Sequence, residues 1–299
     1  MKKEKMFYKI DCLLILGLCL FVLLDTFVIS RSFATVSDVR TETTAETVSY
    51  TESGSVLTAD SYADEDIQIE ISEYVYNGTT VYVADVQLSS PKYLYSAFAS
   101  NTYGKNVTAA TSEIAEEANA LLAINGDYYG ARNSGYVLRN GVLYRSTSAS
   151  ADQEDLVINS DGSFSIIREG EVSAEELLNA GALQVYSFGP ALIEDGEIAV
   201  SESEEVGKAK ASNPRTAICE IEPLHYLLVV SDGRTEESEG LSLHELAQFL
   251  QQFNVKTAYN LDGGGSSTMV FNGTLINNPT TSGRSIKERS VSDALCIGL

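Results

Sequence analysis

"YVYNGTTVYVADVQL", Tyr74 to Leu88, decides how the chain is read. Asn77-Gly78 stands where a two-residue hairpin turn needs positive φ at both central positions. The residues on either side alternate between apolar and polar, the pattern of a strand with one buried face. The same turn signal returns at Asn140-Gly141, Asp161-Gly162, Asp195-Gly196 and Asn272-Gly273, each time between strand-like runs. Helical spacing is rarer. It occurs in "TSEIAEEANA", in "SAEELLNAG" with Ser173 and Glu176 placed as a capping box, and in "SLHELAQFLQQF" with Ser242 and Glu245 placed likewise. The predicted fold class is α+β, a single domain of antiparallel or mixed β-sheet with a few helices over residues 67–299, preceded by an N-terminal membrane segment.

Composition changes upstream of that domain. Residues 1–9 carry Lys2, Lys3, Lys5 and Lys9 against Glu4 alone, and read as a cytoplasmic basic tail. Residues 10–30 are apolar apart from Asp11, Asp25 and the last polar positions, the length of a transmembrane anchor or signal segment. The expected location is the cell membrane, single-pass with the C-terminal domain outside, or secretion if the segment is cleaved. Residues 31–66 are rich in Thr, Ser and acids and are expected to form a flexible linker. The whole chain has 42 acidic and 20 basic side chains, a net charge of -22. No nucleic-acid partner is expected, because a phosphate backbone requires a basic surface. Cys219 and Cys296 fall in strand-like runs, where two buried thiols are expected, with a disulfide between them the alternative outside the cell.

The chemistry gathers at "YNLDGGGSSTMVFNG", Tyr259 to Gly273. Asp262 ends an apolar run and is followed by Gly263, Gly264, Gly265, Ser266 and Ser267. Glycines admit a ligand close to the backbone and can turn N–H groups into an anion-binding nest. The run lacks the Gly-Lys-Ser/Thr ending of a P-loop and the spacing of a dinucleotide site. His225 and His244 lie in a strand-like run and a helix, so a Ser-His-Asp triad is not expected. Three further stretches end or begin apolar runs with polar groups. "LLAINGDYYGARNSG" offers Asn125, Asp127, Tyr128, Tyr129 and Arg132. "SNPRTAICEI" offers Asn213 and Arg215, and "YLLVVSDGR" offers Asp232 and Arg234. Arg289 precedes the last strand. Loops held by a rigid sheet are where sites are commonly built.

The order of these pieces resembles the phosphodiester glycosidase family. The matching stretches are "NGDYY", "GVLYR", "FGPALIEDGE", "NPRTAI", "VVSDGR", "LSLHELAQFL", "NLDGGGSSTM" and "RSVSDAL". Cys219 stands where a glycine commonly follows the "PRTAI" strand, and Ser290 where a proline often follows the arginine. Neither departure removes a polar group. The resemblance implies hydrolysis of a sugar-1-phosphodiester in a cell-surface or extracellular glycopolymer. Asp262, Asp232 and Asp127 are then the candidate catalytic carboxylates. Arg215, Arg234 and Arg289 would grip phosphate as forked donors, with the glycine nest beside them. Tyr128 and Tyr129 would stack on the sugar or carry a proton. No cofactor is required by that chemistry, although oxygen ligands from the three aspartates would suit Ca2+ or Mg2+. Two other readings stay open: a non-catalytic module binding an anionic glycan on a membrane stalk, and metal-dependent hydrolysis of another bond.

Overall fold

The computed structural model describes residues 15–17, 19–24, 28–35, 55–203 and 212–299. Every strand pair among the described residues is antiparallel. Nine strands form one long sheet, with Thr257–Asn260, Arg215–Glu222, His225–Ser231, Thr79–Leu88 and Ile67–Tyr76 side by side in its middle. A second sheet of five strands centres on Leu122–Asn125, between Met269–Phe271 and Asp293–Ile297. A third, also of five, centres on Gln184–Tyr186, between Val137–Arg139 and Glu154–Ile158.

The strand pattern explains the layering. Tyr82, Ala84, Val86, Leu228 and Tyr259 of the long sheet meet Leu122, Ile124 and Leu295 of the second and Leu156, Ile158 and Tyr186 of the third in one shared core. The opposite face of each sheet is covered by one helix. Leu243–Gln251 lays Leu246, Phe249 and Leu250 on Val83, Val229 and Ala258 of the long sheet. Thr111–Glu117 covers Ala123 and Ala294 with Ile114 and Ala115, and Ala174–Asn179 covers Val157 and Val185 with Leu177. Both expected capping boxes form, Ser173 with Glu176 and Ser242 with Glu245. Cys219 and Cys296 are buried in different clusters and do not bond to each other.

Four of the five expected two-residue turns have both central residues at positive φ: Asn77-Gly78, Asn140-Gly141, Asp195-Gly196 and Asn272-Gly273. Asp161-Gly162 differs, since only Gly162 (φ 86) is left-handed there. Gly162 N instead bonds Asn159 O and Asn159 N bonds Ser163 O, a longer loop closed by a glycine bulge.

The linker boundary also needs correction. Val56–Leu57 and Ser61–Ala63 extend the long sheet beyond Ile67–Tyr76, pairing Tyr62 with Ile69 and Ala63 with Gln68. Tyr62 is buried in the shared core, and its hydroxyl donates to Asp64 Oδ2 at 2.6 Å. A polar composition hid one aromatic anchor and a tight turn. Arg31–Thr35 likewise pairs with Thr102–Lys105. Residues 36–54 of the expected linker, the basic tail 1–9, and residues 10–14, 18 and 25–27 of the expected membrane segment lie outside the described residues. Among the described residues, no helix is long and apolar enough to cross a membrane.

The second and third sheets are joined by a buried arginine. Arg139 ends the strand Val137–Arg139 of the third sheet. Its Nη2 lies 2.9 Å from Asp127 Oδ2 and 2.9 Å from Asp293 Oδ2, with all three side chains fully buried. Nη1 donates to Val185 O, and the guanidinium lies 4.1 Å from the centre of the Tyr186 ring. Burial opposes the charge, but Asp127 and Asp293 outweigh it and hold the guanidinium above its ordinary range.

Two outcomes are expected. A fragment beginning at Ser55 melts at least about 5 °C above one beginning at Ile67, because the latter loses Tyr62 and bares a sheet edge. Equal melting temperatures would place residues 55–66 outside the cooperative unit. Arg139→Ala strands two buried carboxyls and costs about 3–5 kcal/mol in denaturant unfolding. A loss below about 1 kcal/mol would mean that Arg139 does not join the sheets.

Candidate active site

Asp262 lies just past the end of Thr257–Asn260, where the long sheet meets the second sheet. Asn125, at the end of Leu122–Asn125, fixes it there. The Asn125 Nδ2 donates to Asp262 O at 2.6 Å, while its Oδ1 accepts from Thr216 Oγ1 at 2.8 Å and Thr268 N at 3.2 Å. Asn125 is fully buried, so the expectation that it touches substrate is corrected: it stitches two sheets together behind the site. The Asp262 Oδ2 accepts from Ser266 Oγ at 2.7 Å and from Arg289 Nη2 at 2.8 Å. Arg289 Nε donates to the same Ser266 Oγ at 2.8 Å. Asp262 Oδ1 receives no hydrogen bond among the described residues, and the side chain is 12% exposed.

Part of the expected ring of donors is taken up within the protein. Gly264 N bonds Pro214 O at 2.8 Å, and Ser266 N bonds Gly263 O at 3.3 Å. The run also provides space. Gly264 is left-handed at φ +63, and a Cβ there would lie 2.8 Å from Arg234 Nη2. A Cβ on Gly263 would lie 2.9 Å from Pro214 O. The loop can therefore close against both the arginine and the neighbouring strand. Ser267 turns inward: its carbonyl accepts from Asn277 Nδ2 at 2.9 Å and its hydroxyl is buried.

Two cavities meet at Asp262 and Arg289. The first, of about 170 Å³, is lined by Arg215, Arg234 and Arg289 together with Phe188, Asp262 and Gly264. Arg215 opens its strand nearly buried, with Nε donating to Leu241 O at 2.8 Å. Arg234 is anchored by Nη2 to Asn213 Oδ1 at 2.8 Å and by Nη1 to Thr281 O at 2.6 Å. Burial, and then the charges of Arg289 and Arg215, push the Arg234 guanidinium below its ordinary value. Like charges crowded in this way mark a lobe suited to an anion. The second cavity, of about 190 Å³, is lined by Asn106, Thr108, Tyr128 and Ser292 besides Asp262 and Arg289. Tyr128 is 48% exposed at its rim.

The other expected site residues lie elsewhere. Asp127 borders the second cavity, but its carboxylate is buried on Arg139 and also accepts from Tyr129 N and Ser187 N, both at 3.0 Å. Asp232 accepts from Asn278 N at 2.9 Å, Asn278 Nδ2 at 3.1 Å and Asn277 Nδ2 at 3.2 Å. Both carboxylates are thus engaged by fixed protein partners, whereas Asp262 keeps an unbonded oxygen. Asp127 and Asp262 border one cavity without Asp232, and among the described residues no group of three or more acidic, His or Cys side chains is placed to hold a metal ion. Tyr129 is buried and stacked on Tyr103, its ring 5.3 Å away, so it belongs to the core. Arg132 lies over the Phe188 ring at 5.2 Å and donates to Ser187 O. His225 pairs with Asp85 across strands, and His244 donates from Nδ1 to Val200 O. Sequence reasoning passes over Arg139, Asp293 and Phe188. The available signal was a charge inside the apolar stretch "YVLRNG" and another opening "DALCIGL".

The chain is 34% identical over 189 residues to human N-acetylglucosamine-1-phosphodiester alpha-N-acetylglucosaminidase, and the mouse protein of that name is 33% identical over 189 residues. Each match covers 58% of this chain and 36% of the relative, so the chain spans about a third of the length of these curated relatives. A prophage-derived protein of Bacillus subtilis, YomE, is 28% identical over 204 residues, covering 66% of this chain and 31% of its own. The zebrafish N-acetylglucosamine-1-phosphodiester alpha-N-acetylglucosaminidase catalytic domain, a solved structure, superposes with a TM-score of 0.61 at 24% identity. That match covers 78% of this chain and 82% of the zebrafish domain, and shows a shared fold. The family model described as phosphodiester glycosidase matches residues 118–298, more than half of the sequence, and the chain belongs to that family.

Proposed function

We propose that the cleft hydrolyses a glycosyl phosphodiester between the anomeric carbon and the bridging oxygen. One observation carries this reading: a three-arginine lobe and a second polar lobe meet at a single accessible carboxylate, Asp262. The phosphate occupies the arginine lobe, where guanidinium forks match its oxygens. The sugar occupies the lobe of Asn106, Thr108 and Tyr128. Asp262 Oδ1 then faces the anomeric carbon, with Oδ2 oriented by Ser266 and Arg289. As the carbon–oxygen bond breaks, its electron pair passes to the bridging oxygen and a phosphate monoester departs, while water gives the carbon its new oxygen and loses a proton to Asp262 as base, or does so after an Asp262 ester has formed and in turn been cleaved. The arginines are in place to stabilise the growing negative charge. Such a leaving group needs no strong acid, so one carboxylate suffices where ordinary glycosides call for two.

The substrate is read as a sugar-1-phosphodiester of a cell-surface or extracellular glycopolymer. The relatives' name specifies N-acetylglucosamine, and this chain is assigned the same linkage class. Export with a membrane anchor is supported by the basic residues of the first nine positions and the apolar stretch after them. The described residues 15–17 and 19–24 are helical and present apolar side chains outward, 67% exposed at Leu16 and 58% at Phe21. A non-catalytic glycan-binding module would use the arginine lobe alike, but would give the unbonded oxygen of Asp262 no task.

Asp262→Asn is expected to lower sugar release by more than ~100-fold, about 2.7 kcal/mol of transition-state stabilisation, with the melting temperature little changed. Arg234→Lys keeps the charge and loses the fork, and should reduce the rate far more than the stability. EDTA should leave the rate unchanged. The assay is mass spectrometry of products from defined glycosyl phosphodiesters. A near-wild-type rate in Asp262→Asn removes Asp262 from the chemistry, and binding without turnover on every diester favours the binding module.

A further inference from the structure

Beneath the cleft lies a pair of acids that the proposed reaction does not use. Asp155, in the strand Glu154–Ile158, is fully buried, and no N–H group donates to its carboxyl oxygens, whose polar neighbours are the Ser187 hydroxyl and Glu169. A buried carboxyl with no cation or N–H donor on it is neutral, and a neutral carboxyl has an O–H to donate. Glu169 lies two residues beyond Ile167, the cross-strand partner of Asp155, so the two acids share one face of the strand pair, and Glu169 is itself nearly buried. Glu169 Oε1 accepts from Tyr136 N at 2.9 Å and from Ser187 Oγ at 3.1 Å, while Oε2 accepts from Ala149 N.

Ser187 links these acids to the cleft. Its N–H donates to Asp127 Oδ2 at 3.0 Å, and Asp127 Oδ1 in turn fixes Tyr129 N in the turn that presents Tyr128 to the second lobe. Its carbonyl accepts from Arg132 Nη1 at 3.1 Å, and Arg132 covers Phe188, which lines the arginine lobe. Gly135 makes room for this hydroxyl, since a Cβ there would lie 2.7 Å from Ser187 Oγ. We propose that Asp155 and Glu169 share one proton and, through Ser187, act as a positioning pair for both lobes of the cleft. The positioning role rests on the cleft being the working site; the shared proton does not.

The groups facing Asp155 are Glu169, the phenols of Tyr136 and Tyr259, the Ser187 hydroxyl and, beyond it, Asp127 on Arg139. Burial, followed by the charge of Glu169, raises the Asp155 carboxyl to about 9. In the unfolded chain it titrates near 4, as an ordinary aspartate does. Folding therefore takes up a proton between these values. The stability from this group is full below about pH 4 and declines as pH rises toward about 9. Asp155→Asn keeps a donor toward Glu169 and removes the titration.

The test uses the full chain and the Asp155→Asn variant. Melting temperature is followed from about pH 5 to about pH 9, with infrared spectra of the carboxylic acid C=O band and rates on a synthetic N-acetylglucosamine-1-phosphodiester. Wild-type protein should melt progressively lower as pH rises. The variant should fall less steeply and melt above wild type near pH 8. A wild-type C=O band that persists at pH 7 should disappear near pH 9 and be weaker in the variant. The wild-type rate should fall at alkaline pH, and the variant's fall should be displaced upward by about one pH unit or more. Superimposable melting profiles with equal C=O bands would overturn the shared proton. If the variant does not fold, the wild-type band decides: a band surviving to about pH 8, above the range of Asp293, supports the proposal, and its absence at pH 7 overturns it. Melting and infrared readings do not depend on turnover, so inactivity on the diester would count against the proposed function alone. An active variant with an unchanged alkaline limb would overturn the positioning role.

Discussion

The guanidinium of Arg139 is the contact on which the cleft depends. It is buried between Asp127, from the loop after one sheet's central strand, and Asp293, at the start of the same sheet's last strand, while its own strand belongs to another sheet. One cation cannot neutralise two carboxylates. Burial, against the opposing pull of Arg139 and with the added charge of Asp127, accordingly raises the carboxyl of Asp293 above its usual range. Such an arrangement holds only if each member has its other partners, and Val185 O, Ser187 N and Tyr129 N provide several of them. The consequence for function is a division of labour. Asp127 is committed to Arg139 and Asp232 to two asparagine amides, so Asp262 alone of the three keeps an oxygen for the cleft.

Charge is organised locally against the average of the molecule. A chain of net charge -22 is a poor general receptor for an anion. Arg215, Arg234 and Arg289 nevertheless converge on a cavity of about 170 Å³. Over the ~8 Å screening length at physiological salt, the field there is set by those arginines and the acidic outer surface contributes little. Asp262, paired with Arg289, marks where the positive lobe ends. The glycines permit this crowding, since a side chain at Gly264 would collide with Arg234.

Much of the fold was legible because local rules act over a few residues. Four Asn-Gly or Asp-Gly turns and two capping boxes form where the spacing predicts them. Residues 55–66 were misread because composition alone cannot register one buried tyrosine, Tyr62, pairing across a sheet edge. Within the site, residue type identified the polar groups but not their tasks. Asp127, Asp232, Asn125 and Tyr129 look as reactive on paper as Asp262. What separates them is burial and partners supplied from distant positions, such as Arg139 for Asp127 and Asn277 for Asp232. Ser187 and Glu169 were invisible for the same reason, being joined by contacts that no sequence spacing records.

The central claim is that one carboxylate works at a sugar carbon while arginines hold a phosphate that stays intact. Hydrolysis of a defined N-acetylglucosamine-1-phosphodiester in water enriched in oxygen-18 tests it most directly. The heavy oxygen should appear in the anomeric hydroxyl of the released sugar, with the phosphate monoester unlabelled. Label in the phosphate would place the attack on phosphorus and contradict the assignment of Asp262 and the arginine lobe alike.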